Sequence, residues 1–535
     1  MSNHDHAAPR RKTFHEVRAA LLARQEIALL DVREEDPFAQ AHPLWAANLP
    51  YGRIELEVLW RIPRHDTPIV VYDDGEGLAE RAQQSLQAIG YTDVALLDGG
   101  LAGWRNAGGE LFRDVNVPSK AFGELVEAQR HTPSLSAEEV KALLDAKADV
   151  VVLDARRYDE YQTMNIPGST SVPGAELALR VRALAPDPKT RVIVNCAGRT
   201  RSIIGTQSLV NAGVPNPVSA LRNGTIGWTL AGQQLEHGAA RRFAAATPQQ
   251  REQAARDARA VADRAKVGRA TQAALRAWRA EAGRSTYVFD VRTPEEYAAA
   301  HVAGTRSAPG GQLVQETDHA VPVRGARIVL LDDDGVRANM TASWLAQLGW
   351  EVHVLDGLQA ADFSERGTPA NPVAELAAAV PWIAPAELAA LLASDAGKPI
   401  VLDLTTSANY VKQHIPGARW ALRSQLAEVV AQFPGAPRYV LTCGSSLLAR
   451  YAAHELAALT HAQVQVLQGG NAAWTAAGLP LEQGETALAS PRIDRYRRPY
   501  EGTDNPREAM QGYLDWEFGL VEQLGRDGTH HFFVI

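Results

Sequence analysis

Short apolar runs that end in an aspartate recur along the chain: ALLDVRE at Asp31, VVLDARR at Asp154, YVFDVRT at Asp290 and IVLDLTT at Asp403. A second run of the same kind follows each of them. These read IVVYDDGEGLA, VIVNCAGRTRS, IVLLDDDGVRA and YVLTCGSSLLA, and they lead to Asp73, Cys196, Asp332 and Cys443. The paired positions are 42, 42, 42 and 40 residues apart. Unbroken apolar runs of this length predict strands buried on both faces, as in a parallel sheet. The pattern then changes to a helical period. RSIIGTQSLVNAGV predicts a helix stopped at Gly213, and LAERAQQSLQAIGY one stopped at Gly90. A third element closes each copy, as in VALLDGGLAGWRNAGGEL and VSALRNGTIGWTLAGQQLE. Trp104, Trp228 and Trp474 stand 31 or 32 residues beyond the loop position, and Phe363 takes that place in the third copy.

Strand, loop, helix and strand in this order predict an α/β fold: four tandem domains, each a mainly parallel sheet flanked by helices. The repeat sets the domains at 12–115, 130–237, 269–370 and 380–485. The second opens on a capping box, Ser136 to Glu139. Residues 238–268 are rich in Ala, Arg and Gln and predict a charged, solvated spacer helix. Residues 486–535 form a tail outside the repeat, expected to pack against the preceding domain. Open sheets of this kind present their working loops at the carboxyl ends of the strands, where Cys196 and its three counterparts fall.

At 535 residues and 46% hydrophobic, the chain has material for several cores. A net charge of -8 argues against a general nucleic-acid binder. No apolar run approaches the roughly 18 residues that cross a bilayer. The start, MSNHDHAAPRRK, lacks the apolar stretch of a secretory signal. Two cysteines are too few for a disulfide scaffold and suit a reducing compartment. The expectation is a soluble cytoplasmic protein.

The chemistry gathers in Cys196-Ala-Gly-Arg-Thr-Arg-Ser. A cysteine at a strand end, before a tight loop and a helix, faces unpaired N–H groups and the positive end of the helix dipole. Arg199 and Arg201 add full charge, and Gly198 and Thr200 complete the loop. All of these favour thiolate, the nucleophilic form, and the same cradle suits an anionic persulfide. Arginine forks beside it suit an oxyanionic sulfur donor. An inert core thiol would sit poorly among two arginines and a glycine.

These residues resemble the rhodanese homology domains, a sulfurtransferase family. The resemblance is carried in the second copy by Asp154 and Arg156, by Glu160, Tyr161 and Ile166-Pro167-Gly168, by the loop CAGRTR, and by Gly224, Trp228, Ala231 and Gly232. Asn165 replaces the commoner histidine before Ile166. The family implies that Cys196 takes sulfur from thiosulfate or a low-molecular-weight persulfide and passes it to cyanide, a thiol or a protein acceptor. Arg199, Arg201, Gly198 and Thr200 would bind substrate, with Asp154 and Arg156 in support. No metal or organic cofactor is implied, and no partnership with nucleic acid or membrane. His4, His6, His530 and His531 lie near the ends of the chain and show no ligand spacing. Phosphatases of related fold use a Cys-x5-Arg loop; here the arginine comes at the fifth position after the cysteine, which suits sulfur.

Asp73 and Asp332 make the first and third domains unable to form a persulfide, and a carboxylate there is expected to sit badly among acidic neighbours. Cys443 survives in the fourth, as CGSSLL, without a cation and after Asp403-Leu-Thr. A weak second transferase, a relay partner and a relic all remain open for it. Two other readings stand beside the enzyme: a sulfur carrier or scaffold whose degenerate domains dock partners, and a redox sensor at Cys196.

Overall fold

The computed structural model describes residues 9–376, 379–394 and 397–535, so His4 and His6 lie outside it. Among these residues the chain forms four sheets built to one plan. In the second domain the two apolar runs lie side by side, Val150–Asp154 pairing in parallel with Arg191–Asn195 from end to end. Val218–Leu221 pairs on the far side of Arg191–Asn195, Ser134–Leu135 follows it, and Thr170–Ser171 closes the opposite edge. Each of these pairings is parallel. Val192, Ile193 and Val194 are fully buried, which is why the sequence shows no alternation there.

Local signals end the helices where the pattern expects them. The Thr200–Asn211 helix stops before Gly213, which adopts a positive φ of 66°. Ser136 and Glu139 form the capping box at the start of Ala137–Asp145. Trp104, Trp228 and Trp474 are buried, and each indole N–H donates to a carbonyl six residues on. The third domain departs from its siblings: its closing helix shrinks to the single turn Ala360–Asp362, and Phe363 stacks on Arg292 instead.

Two expectations about the connections are corrected. The spacer is the helix Pro248–Arg264, and it is packed rather than solvated. Its Ala254, Ala258 and Val261 form a small-residue face that lets it lie against Leu177–Leu184 of the second domain and Arg337–Gln347 of the third. The tail does not stop at the fourth domain. Ala487 and Ala489 pair with Trp420 there, but the Asp36 N–H then donates to the Ile493 carbonyl in the first domain. The helix Arg507–Phe518 lies on the second domain, and Phe533 N–H donates to Gln347 of the third.

The domains are also joined directly. Val323–Arg324, from the third domain, adds an antiparallel strand to Ile27–Asp31 of the first. Equivalent turns meet across two interfaces: Tyr51–Arg53 with Arg423–Gln425, and Gly174–Glu176 with Gly310–Gln315. At the second of these the backbones nearly touch, since a Cβ on Gly311 would lie 3.0 Å from Gly174 N. None of the described helices is long and apolar enough to cross a membrane.

Candidate active site

Cys196 follows the last residue of its strand and is 2% exposed. Its thiol donates to Ser202 Oγ at 3.5 Å, and that hydroxyl donates to the Arg199 carbonyl. Burial pushes the Cys196 thiol up; Arg201 and the Ser202 hydrogen bonds act against that rise, and Glu517 adds to it. The loop therefore favours the thiolate less than its composition suggests, because desolvation outweighs the cation.

The two loop arginines have different surroundings. Arg201 is held by both oxygens of Glu160, at 2.8 and 2.9 Å, and remains close enough to act on the Cys196 sulfur. Although burial opposes it, the Arg201 guanidinium, with Arg156 and Arg157, holds Glu160 down at about 2. Arg199 departs from its expected place at the substrate. Its guanidinium binds Glu124 at 2.7 and 2.8 Å, Glu127 and Asn223, and stacks on Phe518. It ties the loop to the helix Val117–Arg130, its donors taken up by the carboxylates there. Thr200 is likewise turned to that helix, against Gly123.

Asp154 and Arg156 form a buried ion pair at 2.7 Å, and Arg156 also donates to the Met164 carbonyl. Asn195, the residue before the cysteine, donates to the same carboxylate at 3.1 Å. The pair thus fixes the strand end from which the loop departs. The first and third domains repeat it as Asp31–Arg33 and Asp290–Arg292. In the fourth, Thr405 stands where the arginine would be, and burial pushes Asp403 up to about 6 against hydrogen bonds from the Thr405 N–H and Asn471.

The replaced cysteines reveal what the cradle holds. Asp73 accepts the Leu78 and Ala79 N–H groups at 2.6 and 3.0 Å, and Gly75 N–H at 3.1 Å. Asp332 accepts Ala338 and Gly335 N–H at 2.8 and 2.9 Å. Burial and nearby Asp334 push Asp332 well up, as expected of a carboxylate among acidic neighbours. At Asp73 the backbone donors of the loop and first helical turn receive the charge. Cys443, 4% exposed, sits in a similar ring of N–H groups from Ser445, Leu448 and Ala449, and burial pushes its thiol up.

No motif in the chain points to the residues that cover the Cys196 loop. They come from the tail helix Arg507–Phe518, three hundred residues on. Gly198 faces the Tyr513 ring so closely that a Cβ would lie 3.1 Å from it. Tyr513 donates to Glu517 Oε1 at 2.8 Å, while Oε2 is buried with no hydrogen-bond partner. Burial, with Glu124 nearby, pushes Glu517 up to about 8. Beneath them Lys120 binds Asp114 at 2.6 Å and lies against the rings of Tyr500, Tyr513 and Trp516. His531 contacts the Leu21 carbonyl, and among the described residues no group of three or more His, Cys, Asp or Glu is placed to hold a metal ion.

The family model for the rhodanese-like domain matches residues 13–107, 136–231, 271–357 and 384–477. A solved thiosulfate sulfurtransferase from Pseudomonas aeruginosa is 71% identical, with a TM-score of 0.97, covering 98% of this chain and 100% of that one. The Mycobacterium tuberculosis protein named Putative thiosulfate sulfurtransferase SseB is 34% identical over 131 residues. That match takes in 21% of this chain and 43% of the relative, so the chain spans less than half of that protein's length. A 91-residue stretch is 31% identical to an HTH-type transcriptional regulator of Mycobacterium tuberculosis, covering 17% of this chain and 39% of that protein.

Proposed function

Since the chain belongs to the rhodanese-like family, four of whose domains it carries, we propose that it is a thiosulfate sulfurtransferase with its principal site at Cys196. The Cys196 thiolate attacks the outer sulfur of thiosulfate. The sulfur–sulfur bond of the donor breaks, and sulfite leaves with the electron pair. The enzyme then carries Cys196–S–S⁻, which a thiophilic acceptor attacks at the outer sulfur, returning the thiolate. Two half-reactions through one covalent intermediate give ping-pong kinetics.

The observation that carries this reading is the cradle occupied by Asp73. Backbone donors that hold a carboxylate in the first domain would, in the second, meet a terminal sulfur bearing one negative charge. Arg201 supplies the added cation that the loop of Cys443 lacks. The reading puts the reaction in the cytoplasm, where thiols are kept reduced.

The test is intact mass after brief exposure to thiosulfate, for the wild type, Cys196→Ser and Cys443→Ser. The expected result is a gain of one sulfur that cyanide reverses, that Cys196→Ser abolishes and that Cys443→Ser leaves in place. Turnover should fall by on the order of a thousandfold or more in Cys196→Ser, as for loss of a covalent nucleophile. Substantial loading in that variant would move the site elsewhere.

A further inference from the structure

The tail helix Arg507–Phe518 brings a carboxyl against the Cys196 loop. Glu517 is fully buried, and its Oε2 would lie 3.6 Å from a Cβ placed on Gly198, two residues beyond the cysteine. Charge on Glu517 is felt at the Cys196 sulfur. The ionisable groups that face Glu517 are Glu124 and Lys120 from the helix Val117–Arg130, Arg199 and Cys196 from the loop, and Tyr513 one turn back. In the fourth domain the corresponding loop is uncovered: Gly444 and Ser445 are exposed, and nothing stands within 4 Å of a Cβ on Gly444.

Both cations are engaged elsewhere, Lys120 with Asp114 and Arg199 with Glu124 and Glu127. A carboxylate buried without a cation of its own is costly, so Glu517 keeps its proton at pH 7. Its Oε1 accepts from the Tyr513 hydroxyl at 2.8 Å, which leaves the proton to Oε2. Oε2 is then a buried O–H donor, and it has no acceptor among the described residues. Such a group forfeits a hydrogen bond, and its presence calls for a reason. The resting Cys196 thiol is already taken up by Ser202. A persulfide adds one more sulfur beyond that thiol, and the added atom is an anion.

We propose that Glu517 is a catalytic residue of the transfer, its Oε2–H donating to the outer sulfur of Cys196–S–S⁻ and holding that sulfur in the loop. The inference rests on the sulfurtransferase reading above. As Cys196 attacks thiosulfate, the sulfur–sulfur bond of the donor breaks and sulfite leaves with the electron pair. The transferred sulfur, now bonded to Cys196, carries the negative charge that the O–H group meets. The proton stays on Glu517, so a hydrogen bond forms and the carboxyl remains neutral. No oxidant or reductant enters. A tail from outside the repeat thus supplies the second domain with a donor to the sulfur it carries.

The test is the loading equilibrium of the full chain carrying Cys443→Ser, read by intact mass in mixtures of thiosulfate and sulfite. Glu517→Leu removes the donor and should lower the ratio of loaded to free enzyme about tenfold at pH 7, the loss expected for one charge-assisted hydrogen bond. Glu517→Gln keeps an N–H donor and should load as the parent chain does. As the pH climbs above 8 the parent loses its donor proton and should fall below the glutamine variant. Loading of Glu517→Leu equal to the parent would overturn the assignment. So would loading of Glu517→Gln no better than that of Glu517→Leu, the mark of a packing role. Should the leucine variant not fold, a ratio between parent and Glu517→Gln that stays constant from pH 7 to pH 9 overturns it equally. A parent chain that takes no sulfur from thiosulfate sinks the sulfurtransferase reading and this one with it. One that loads and yields its sulfur to cyanide, with both variants unchanged, removes this inference alone.

Discussion

At Cys196 the local charge is decided by its own loop and by the tail. Arg201 and Ser202 favour the thiolate, while burial and Glu517 oppose it. Glu517 itself is pushed to about 8, so it is neutral at pH 7 and acquires its charge as the pH passes 8. Its ionisation then works against the nucleophile. Glu517→Gln should therefore leave the rate of persulfide formation near that of the wild type at pH 7 and raise it severalfold at pH 9; superimposable pH profiles would refute the coupling. The same shift bears on stability. A carboxyl whose folded pKa lies above its unfolded value near 4.5 costs stability as the pH rises from about 4.5, fully so above about 8. Glu517→Gln should match the wild type in Tm at pH 5 and exceed it at pH 9. The chain displays Cys196 and Arg201 in one loop, which made them legible. Arg199 is as conspicuous, yet its direction is set by Glu124 and Glu127, more than seventy residues upstream, and nothing in the loop reports that.

The strand–loop–helix element is a common cradle of backbone donors in which only the side chain at the strand end changes. A carboxylate occupies it in the first and third domains, a thiol in the second and fourth. Its period and glycines made the element readable, since each unit repeats the same buried run and the same helical spacing. Its cover was not readable. The helix Arg507–Phe518 lies on the loop through Tyr513, and a Cβ at Gly198 would meet that ring at 3.1 Å, tighter than an ordinary contact. Gly198→Ala should cost about 1–3 kcal/mol by overpacking. Tyr513→Ala in the same chain should make the alanine nearly neutral, and a double-mutant cycle by denaturant titration measures that coupling. Additive losses would show that the strain arises within the loop.

At the scale of the whole molecule the four copies are not beads on a string. Arg337, 2% exposed at its side chain, bridges the second and third domains through Glu176 at 2.8 Å, and also binds Glu296 and Asp334. Arg423, 3% exposed, bridges the fourth and first through Glu55 at 2.7 Å. Arg337→Ala strands buried carboxylates and should cost about 3–5 kcal/mol, seen as a lower urea midpoint. With Val323–Arg324 of the third domain completing the edge of the first, those two domains should unfold together in calorimetry. The repeat told how many domains to expect because each carries its own core pattern. Their arrangement was hidden because single arginines, a two-residue strand and a tail without a repeat of its own determine it. That tail imposes an order in time. Translation runs from the amino terminus, so Cys196 is made about three hundred residues before Tyr513 and Glu517. At the usual 5–20 residues per second, the interval is roughly 15 to 60 seconds. Every molecule begins life with its reactive sulfur uncovered, and only a chain carried through to its last helices closes over it.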